Sequence, residues 1–430
     1  MHKRFSRICV AGAVITMALC VVIVSCNDGF VLDIGSSDED AASQDDAPLV
    51  KTFGEPLDEP GAGAAILSAI TYSGTVIDPR DDEAVVDAQI QVTFADGADF
   101  GHALIYSDED GKVEFTGDTG FDYKITVTKA NYITTELWTK RSVCGDLEGT
   151  LPPVWLIPEP LIVEGAIAGQ IRNAFDNRLL EYADLEFRAG LNAPDTDPVL
   201  YAAQTSDTIA DFGKYTVDTM KAGVYSALVT RDYGGDPYVP STVLVYVLGG
   251  RTVNGQHGIM TTVLQQNQMR IVVTWGATPF DLDSHLWAPC PRGDSGCTNG
   301  YFHLYYSTRG VSNPFSVLFD LDVDDTDGFG PETTTVNDAS PTLGETYSFL
   351  MHDWSNGSSC TFNCLSMCNS PGFQVSVYAG ECVQTFYPTP GSDATVWHVF
   401  DAVFDGSGWS VTPIDDYCHD EASNVGPTCF

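Results

Sequence analysis

Cationic side chains are scarce. Twenty Lys and Arg stand against 59 Asp and Glu in 430 residues, a formal charge of −39. The shortage deepens along the chain: the last lysine is Lys221, and residues 257–430 hold three Arg, no Lys and twenty acidic residues. Nucleic-acid binding is excluded on this ground, because it requires clustered cations that displace counterions from phosphates. Helical patterning is also missing. Beyond the N-terminus no stretch sustains an apolar period of 3.6 with caps at both ends, which rules out a bundle or coiled coil. No Ser/His or Cys/His nucleophile motif is found, so the common hydrolase machinery has no sequence support.

What is present reads as all-β. Short alternating runs such as AQIQVTF, KVEFTG and YKITVTK are separated by Gly, Asp and Pro, the pattern of half-buried strands joined by tight turns. Ahead of them, Lys3, Arg4 and Arg7 precede an apolar run of 17 residues, Ile8 to Val24. This is short against the roughly 20 needed to span a bilayer and is arranged like an export signal. Its end, Ile23-Val24-Ser25-Cys26, resembles the lipobox of bacterial lipoproteins. That resemblance implies removal of residues 1–25, lipidation of Cys26 and, with Asn27 following, an outer-membrane or cell-surface address. Residues 26–64 are acidic and poor in large apolar side chains, so they cannot offset the entropy of ordering. They read as a disordered tether.

An internal repeat follows. SGTVID, DAQIQV, SDEDGKVEF and YKITVTKANY align with AGQIRN, YADLEF, IADFGKYTV and YSALVTRDY at an offset of about a hundred residues, which indicates tandem domains. Both copies, 65–158 and 159–256, resemble the carboxypeptidase-regulatory-like domain, a transthyretin-like sandwich in the carbohydrate-binding-like group. The resemblance implies non-catalytic spacers or binding modules. The remainder, 257–430, contains T-W-x(5)-D-L-D-S-H-L and L-D-x-D-D-x-x-G-x-G-P-E and resembles the YfaP-type domain of unknown function. This implies a third β-sandwich and no mechanism.

Of twelve cysteines, eight lie in this last region: Cys290, Cys297, Cys360, Cys364, Cys368, Cys382, Cys418 and Cys429. An even number in an exported domain points to disulfides, with Cys290–Cys297 and Cys418–Cys429 as the local pairs. The C-x3-C-x3-C spacing of Cys360, Cys364 and Cys368 misses the usual zinc pattern. Cys144 is left over.

Chemistry concentrates in LFDLDVDDTDGFGPE, Leu318 to Glu332, with six carboxylates. As a strand it places Val317, Phe319, Leu321 and Val323 on one face and Asp320, Asp322 and Asp324 on the other. FDLDSHLW repeats the pattern, with Phe280, Leu282 and Leu286 facing the core and Asp281, Asp283 and His285 opposite. Two readings fit such a row. One is calcium, which takes six to eight oxygens and could draw on Asp281, Asp283, Asp320, Asp322, Asp324 and Asp325. The other is a solvated acidic edge strand that resists edge-to-edge pairing. An EF-hand is excluded: with Asp320 first, Asp325 stands where the loop needs Gly and Pro331 where it needs Glu. Asp281, Asp283, His285 and His352 also suit an oxygen-plus-imidazole metal site.

The sequence therefore predicts a non-enzymatic surface lipoprotein, with calcium as its only candidate cofactor. Its expected partners are the membrane, through the lipid, and a glycan or envelope protein. The competing reading is an accessory or hydrolytic envelope enzyme using the Asp281, Asp283, Asp320 and Asp322 cluster.

Overall fold

The computed structural model describes residues 69–118, 120–139, 151–235, 237–291, 297–310, 313–338, 341–355, 367–370, 372–380, 382–389 and 394–419. The signal, Cys26, the tether, Cys144, Cys360, Cys364, Cys429 and the side chain of Cys382 lie outside them. The chain is all-β, as its patterning predicts: six sheets make up the described residues, with single turns of 3-10 helix as the only helical structure among them.

The first repeat supplies β1 (Ala69–Asp78), β2 (Glu83–Ala84), β3 (Gln89–Phe94), β4 (Ile105–Tyr106), β5 (Lys112–Asp118), β6 (Tyr123–Thr128), β7 (Thr135–Trp138) and β8 (Val154–Trp155). The second supplies β9 (Glu164–Asn173), β10 (Asp184–Ala189), β11 (Tyr201–Gln204), β12 (Lys214–Lys221), β13 (Gly223–Thr230), β14 (Ser241–Val247), β15 (Thr252–Val253) and β16 (Gly258–Met260).

Their topologies share one plan, although β2, antiparallel to β1, is matched in the second only by the single bridge Arg172–Leu179. In the first, β1 pairs antiparallel with β5 and parallel with β8, opposite a sheet ordered β4-β3-β6-β7. In the second, β9 pairs antiparallel with β12 and parallel with β15 and β16, opposite β11-β10-β13-β14. The turns match too. Gly111 and Gly213, each just ahead of the strand that pairs with the first strand of its repeat, have φ of 73° and 67°, a region a side chain enters only at a cost. Alternation does the rest: β6 buries Tyr123, Ile125 and Val127 between half-buried neighbours, which fixes its register against β3.

The third region forms β17 (Met269–Thr274), β18 (Asp283–Pro289), β19 (Tyr301–Leu304), β20 (Phe319–Val323), β21 (Glu332–Val336), β22 (Thr346–His352), β23 (Gln374–Ala379), β24 (Cys382–Phe386), β25 (Val396–Phe404) and β26 (Trp409–Cys418). One sheet runs β20-β21-β17-β23-β24 and the other β19-β18-β22-β25-β26. Between them lies a core that includes Leu282, Leu286, Phe319, Leu321, Phe349, Phe400 and Trp397.

Two expected core residues are elsewhere. Phe280 and Val317 are exposed, at 62% and 78%. Val317 sits in a turn that ends before β20 begins, and Phe280 lies ahead of β18, so the sheet periodicity does not reach either. Cys290 and Cys297 are disulfide-bonded, as is Cys418.

A cleft of about 1050 Å³ is lined by Trp155 of the first repeat, Tyr246 and His257 of the second sandwich and its following segment, and Trp275, Phe329 and Tyr378 of the third, among others. Nearby, the Arg270 guanidinium lies 5.3 Å from the Phe175 ring.

Candidate metal centre

The acidic strand β20 is an edge strand, and it carries a bulge. Leu321 faces Thr334 and Val323 faces Thr333, so Asp322 is the extra residue. A bulge shifts every later side chain to the other face. The row Asp320-Asp322-Asp324 is thereby divided. Asp322 accepts a hydrogen bond from Thr335 and lies 4.0 Å from Arg270. Arg270 itself donates to Thr335 and Thr261. Burial, outweighing Thr335 and Arg270, pushes the Asp322 carboxyl up to about 6. Asp320 neighbours Asp322 on this side.

Asp324 belongs to the other group. The loop after it passes through Gly328, Phe329 and Gly330, all with positive φ. It returns the chain so that Glu332 opens β21. One oxygen each of Asp283, Asp324 and Glu332 then lie within 4.8 Å of one another. Glu332 is fully buried, accepts the Ser284 amide at 2.6 Å through Oε1, and leaves Oε2 without a partner. Burial raises its pKa well above the ordinary value, against the Ser284 bond. Asp324 is raised by burial and eased by Arg309, whose guanidinium is 2.5 Å away and 40% exposed. Asp281 is pushed up to about 7 by burial and then by Asp283, Asp324 and Asp325. Burial also raises Asp325.

Of the six expected carboxylates, the fold thus brings Asp283 and Asp324 within ligand distance of each other, leaves Asp281 near enough to be perturbed by both, sets Asp325 beside Asp327, and places Asp322 with Arg270. It adds Glu332, the last carboxylate of the acidic stretch, which was not among the six. The usable signal was its position, at the head of a Thr-rich strand after a glycine-dense turn.

Asp283 has a second set of neighbours on the outer face of its sheet. Register places it opposite His352, with His352 Nδ1 at 3.9 Å from Oδ2. Asp283, His285 and His352 each offer one ligand atom within 4.8 Å of the others, and all three residues are buried. His285 Nδ1 is hydrogen-bonded to His303 Nε2 at 2.9 Å, while His285 Nε2 and both His352 nitrogens have no partner. Burial, then His303 and His352, holds His285 well below the ordinary imidazole range. Burial alone lowers His303 to about 4. Tyr305 stacks on both His285 and His303, and Trp287 on His303.

Comparison with known proteins yields no matching family and no matching curated protein. Among solved structures, the minor pilin GBS52 of Streptococcus agalactiae aligns with 46% of this chain and 97% of its own, at 11% identity and a TM-score of 0.19. The protein of unknown function SAV2460 aligns with 37% of this chain and 95% of its own, at 16% identity and a TM-score of 0.26. The Bacillus anthracis TIE protein aligns with 66% of this chain and 45% of its own, at 12% identity and a TM-score of 0.19. Likeness at this level assigns no role. Among the described residues no helix is long and apolar enough to cross a membrane.

Proposed function

We propose that the chain is a non-enzymatic lipoprotein, anchored through Cys26 to the outer membrane or cell surface. Its two repeated sandwiches act as a stalk. Its third sandwich is braced by a divalent cation and presented to a glycan or envelope-protein ligand. The stalk role draws on the shared topology of the two repeats and on their resemblance to carboxypeptidase-regulatory-like spacers. The aromatic-lined cleft, to which all three sandwiches contribute, is the place we assign to the ligand.

The observation that carries the reading is the convergence of Asp283, Asp324 and Glu332 from both sheets. Three carboxylates in one buried space repel one another, and the half-exposed Arg309 is their nearest cation among the described residues. Calcium, which accepts carboxylate oxygens in flexible geometry, suits the group. It would tie the two sheets together. A hydrolytic enzyme acting through Asp281, Asp283, Asp320 and Asp322 fits less well, because Asp322 is committed to Arg270 and Thr335.

The test is a calcium titration of the chelator-treated whole chain, followed by thermal unfolding. Saturating calcium is expected to raise the midpoint by about 5 °C or more, given the stabilisation that a specific ligand supplies at a hundredfold its Kd. A transition unmoved at millimolar calcium removes the proposal.

A further inference from the structure

We infer that Asp283, His285 and His352 form a separate seat for a nitrogen-preferring divalent ion of the zinc class. This seat shares Asp283 with the oxygen-only group and otherwise draws on two imidazoles in place of Asp324 and Glu332. Two histidines on adjacent strands, β18 and β22, face the same carboxylate, and none of their inward nitrogens is satisfied. Buried polar atoms nearly always find a partner, so three orphaned imidazole nitrogens in one place call for an explanation. His398, the other histidine on this sheet's central strands, behaves ordinarily: its Nε2 pairs with Asp401 at 2.9 Å. His285 and His352 have no such carboxylate within hydrogen-bonding reach.

The surroundings match what a metal-bound imidazole requires. The second nitrogen of a ligating histidine is normally held by a hydrogen bond that fixes tautomer and ring orientation. His303 holds His285 Nδ1 in that way, and the Tyr305 and Trp287 rings clamp the pair. With the proton on Nδ1, the Nε2 lone pair points to the shared space. A set of two imidazoles and one carboxylate suits zinc and its neighbours in the first transition row, whereas calcium and magnesium prefer oxygen alone. Zinc bonds of 2.0–2.2 Å set tetrahedral donors about 3.4 Å apart, a spacing inside the 4.8 Å that bounds the separations of these three. The Trp354 ring stands 6.0 Å from that of His352 and packs 5.7 Å from the Tyr306 ring, and these two partly exposed aromatics mark the way in.

The experiment loads the chelator-treated whole chain with Zn²⁺ and, in parallel, with Cu²⁺. Calorimetry is expected to give one zinc per chain, and the copper paramagnetic resonance spectrum to show coupling to imidazole nitrogen. His352→Gln and His285→Gln should each weaken zinc by about 100-fold or more and leave the calcium response intact. Asp324→Asn should do the reverse, and Asp283→Asn should impair both. Absence of zinc binding, an oxygen-only copper spectrum in the unmodified chain, or unchanged zinc affinity in a folded histidine variant would each overturn the inference. Loss of calcium binding alone would overturn only the calcium brace. The copper spectrum needs no substitution, so a histidine variant that fails to fold leaves the test intact.

Discussion

Two groups of buried carboxylates lie on opposite sides of one short edge strand, and the chain treats them differently. On the Asp322 side, a residue of β17 supplies a cation: Arg270 is 5% exposed and anchored to Thr335 and Thr261. On the Asp283 and Glu332 side no such cation stands among the described residues, and Arg309 reaches Asp324 alone of the three. With three arginines in 174 residues, where each is placed matters. Where a buried arginine is allocated, the carboxylate is part of the scaffold. Where none stands among the described residues, a bound cation is the counter-charge we propose.

The strongest way to break this contrast is to remove the internal cation. Arg270→Met keeps the side-chain bulk and strands Asp322 in a buried site. Breaking one partner out of a buried pair is expected to cost about 3–5 kcal/mol. Denaturant unfolding of the third sandwich, followed by the fluorescence of its tryptophans, measures it. A loss below about 1 kcal/mol, the range of exposed pairs, would mean that Asp322 is not buried as a charge.

Substitution on the other side should have the opposite sign. Glu332→Gln preserves shape and the bond from Ser284 while removing an acid that, buried as it is, must either take up a proton or sit as a charge uncompensated among the described residues. In metal-free protein at neutral pH it is expected to stabilise by about 1–2 kcal/mol, the scale of an unsatisfied buried polar group. The same variant should lose its response to calcium. If it destabilises the metal-free protein instead, Glu332 is structural in the manner of Asp322 and the contrast fails.

Part of this arrangement was legible in the sequence. The repeat, the turn glycines Gly111 and Gly213 and the alternation within β6 all follow from local chemistry, and local chemistry is what a sequence displays. The edge position of β20 was one of two readings that its charged alternation left open, and Asp322 is buried there rather than solvated. The bulge at Asp322 was not legible. It depends on which residue of β21 each backbone group meets, and no glycine in Phe319–Val323 announces it. The neighbours of Asp283 come from β22 and β21, far away in the chain, so their convergence is set by sheet order rather than by spacing. Arg270 did leave a signal, since a lone arginine inside the apolar run MRIVVT of so acidic a domain must be paired with something.

The first repeat offers a milder form of the same comparison. Asp78 is buried at the end of β1, yet Arg80 binds it through Nε and Nη2, and Tyr132 adds a hydroxyl bond. Burial raises this carboxyl, but the hydrogen bonds and charge of Arg80 outweigh it, so the pKa ends below the ordinary 3.8. A group whose folded pKa is lowered contributes stability above its unfolded value, and that contribution fades as the pH falls through the folded one. Asp78→Asn should therefore cost stability at pH 7 and little once the medium is acid enough to protonate the folded carboxyl. The cost is small, about 1 kcal/mol, because Arg80 is half exposed and water screens the pair. Unfolding curves of the variant and its parent at pH 7 and near pH 2 should converge at the acid end. If the difference persists there, Asp78 acts through packing and hydrogen-bond geometry rather than charge. The parallel with Asp322 would then hold for position in the sheet but not for electrostatics.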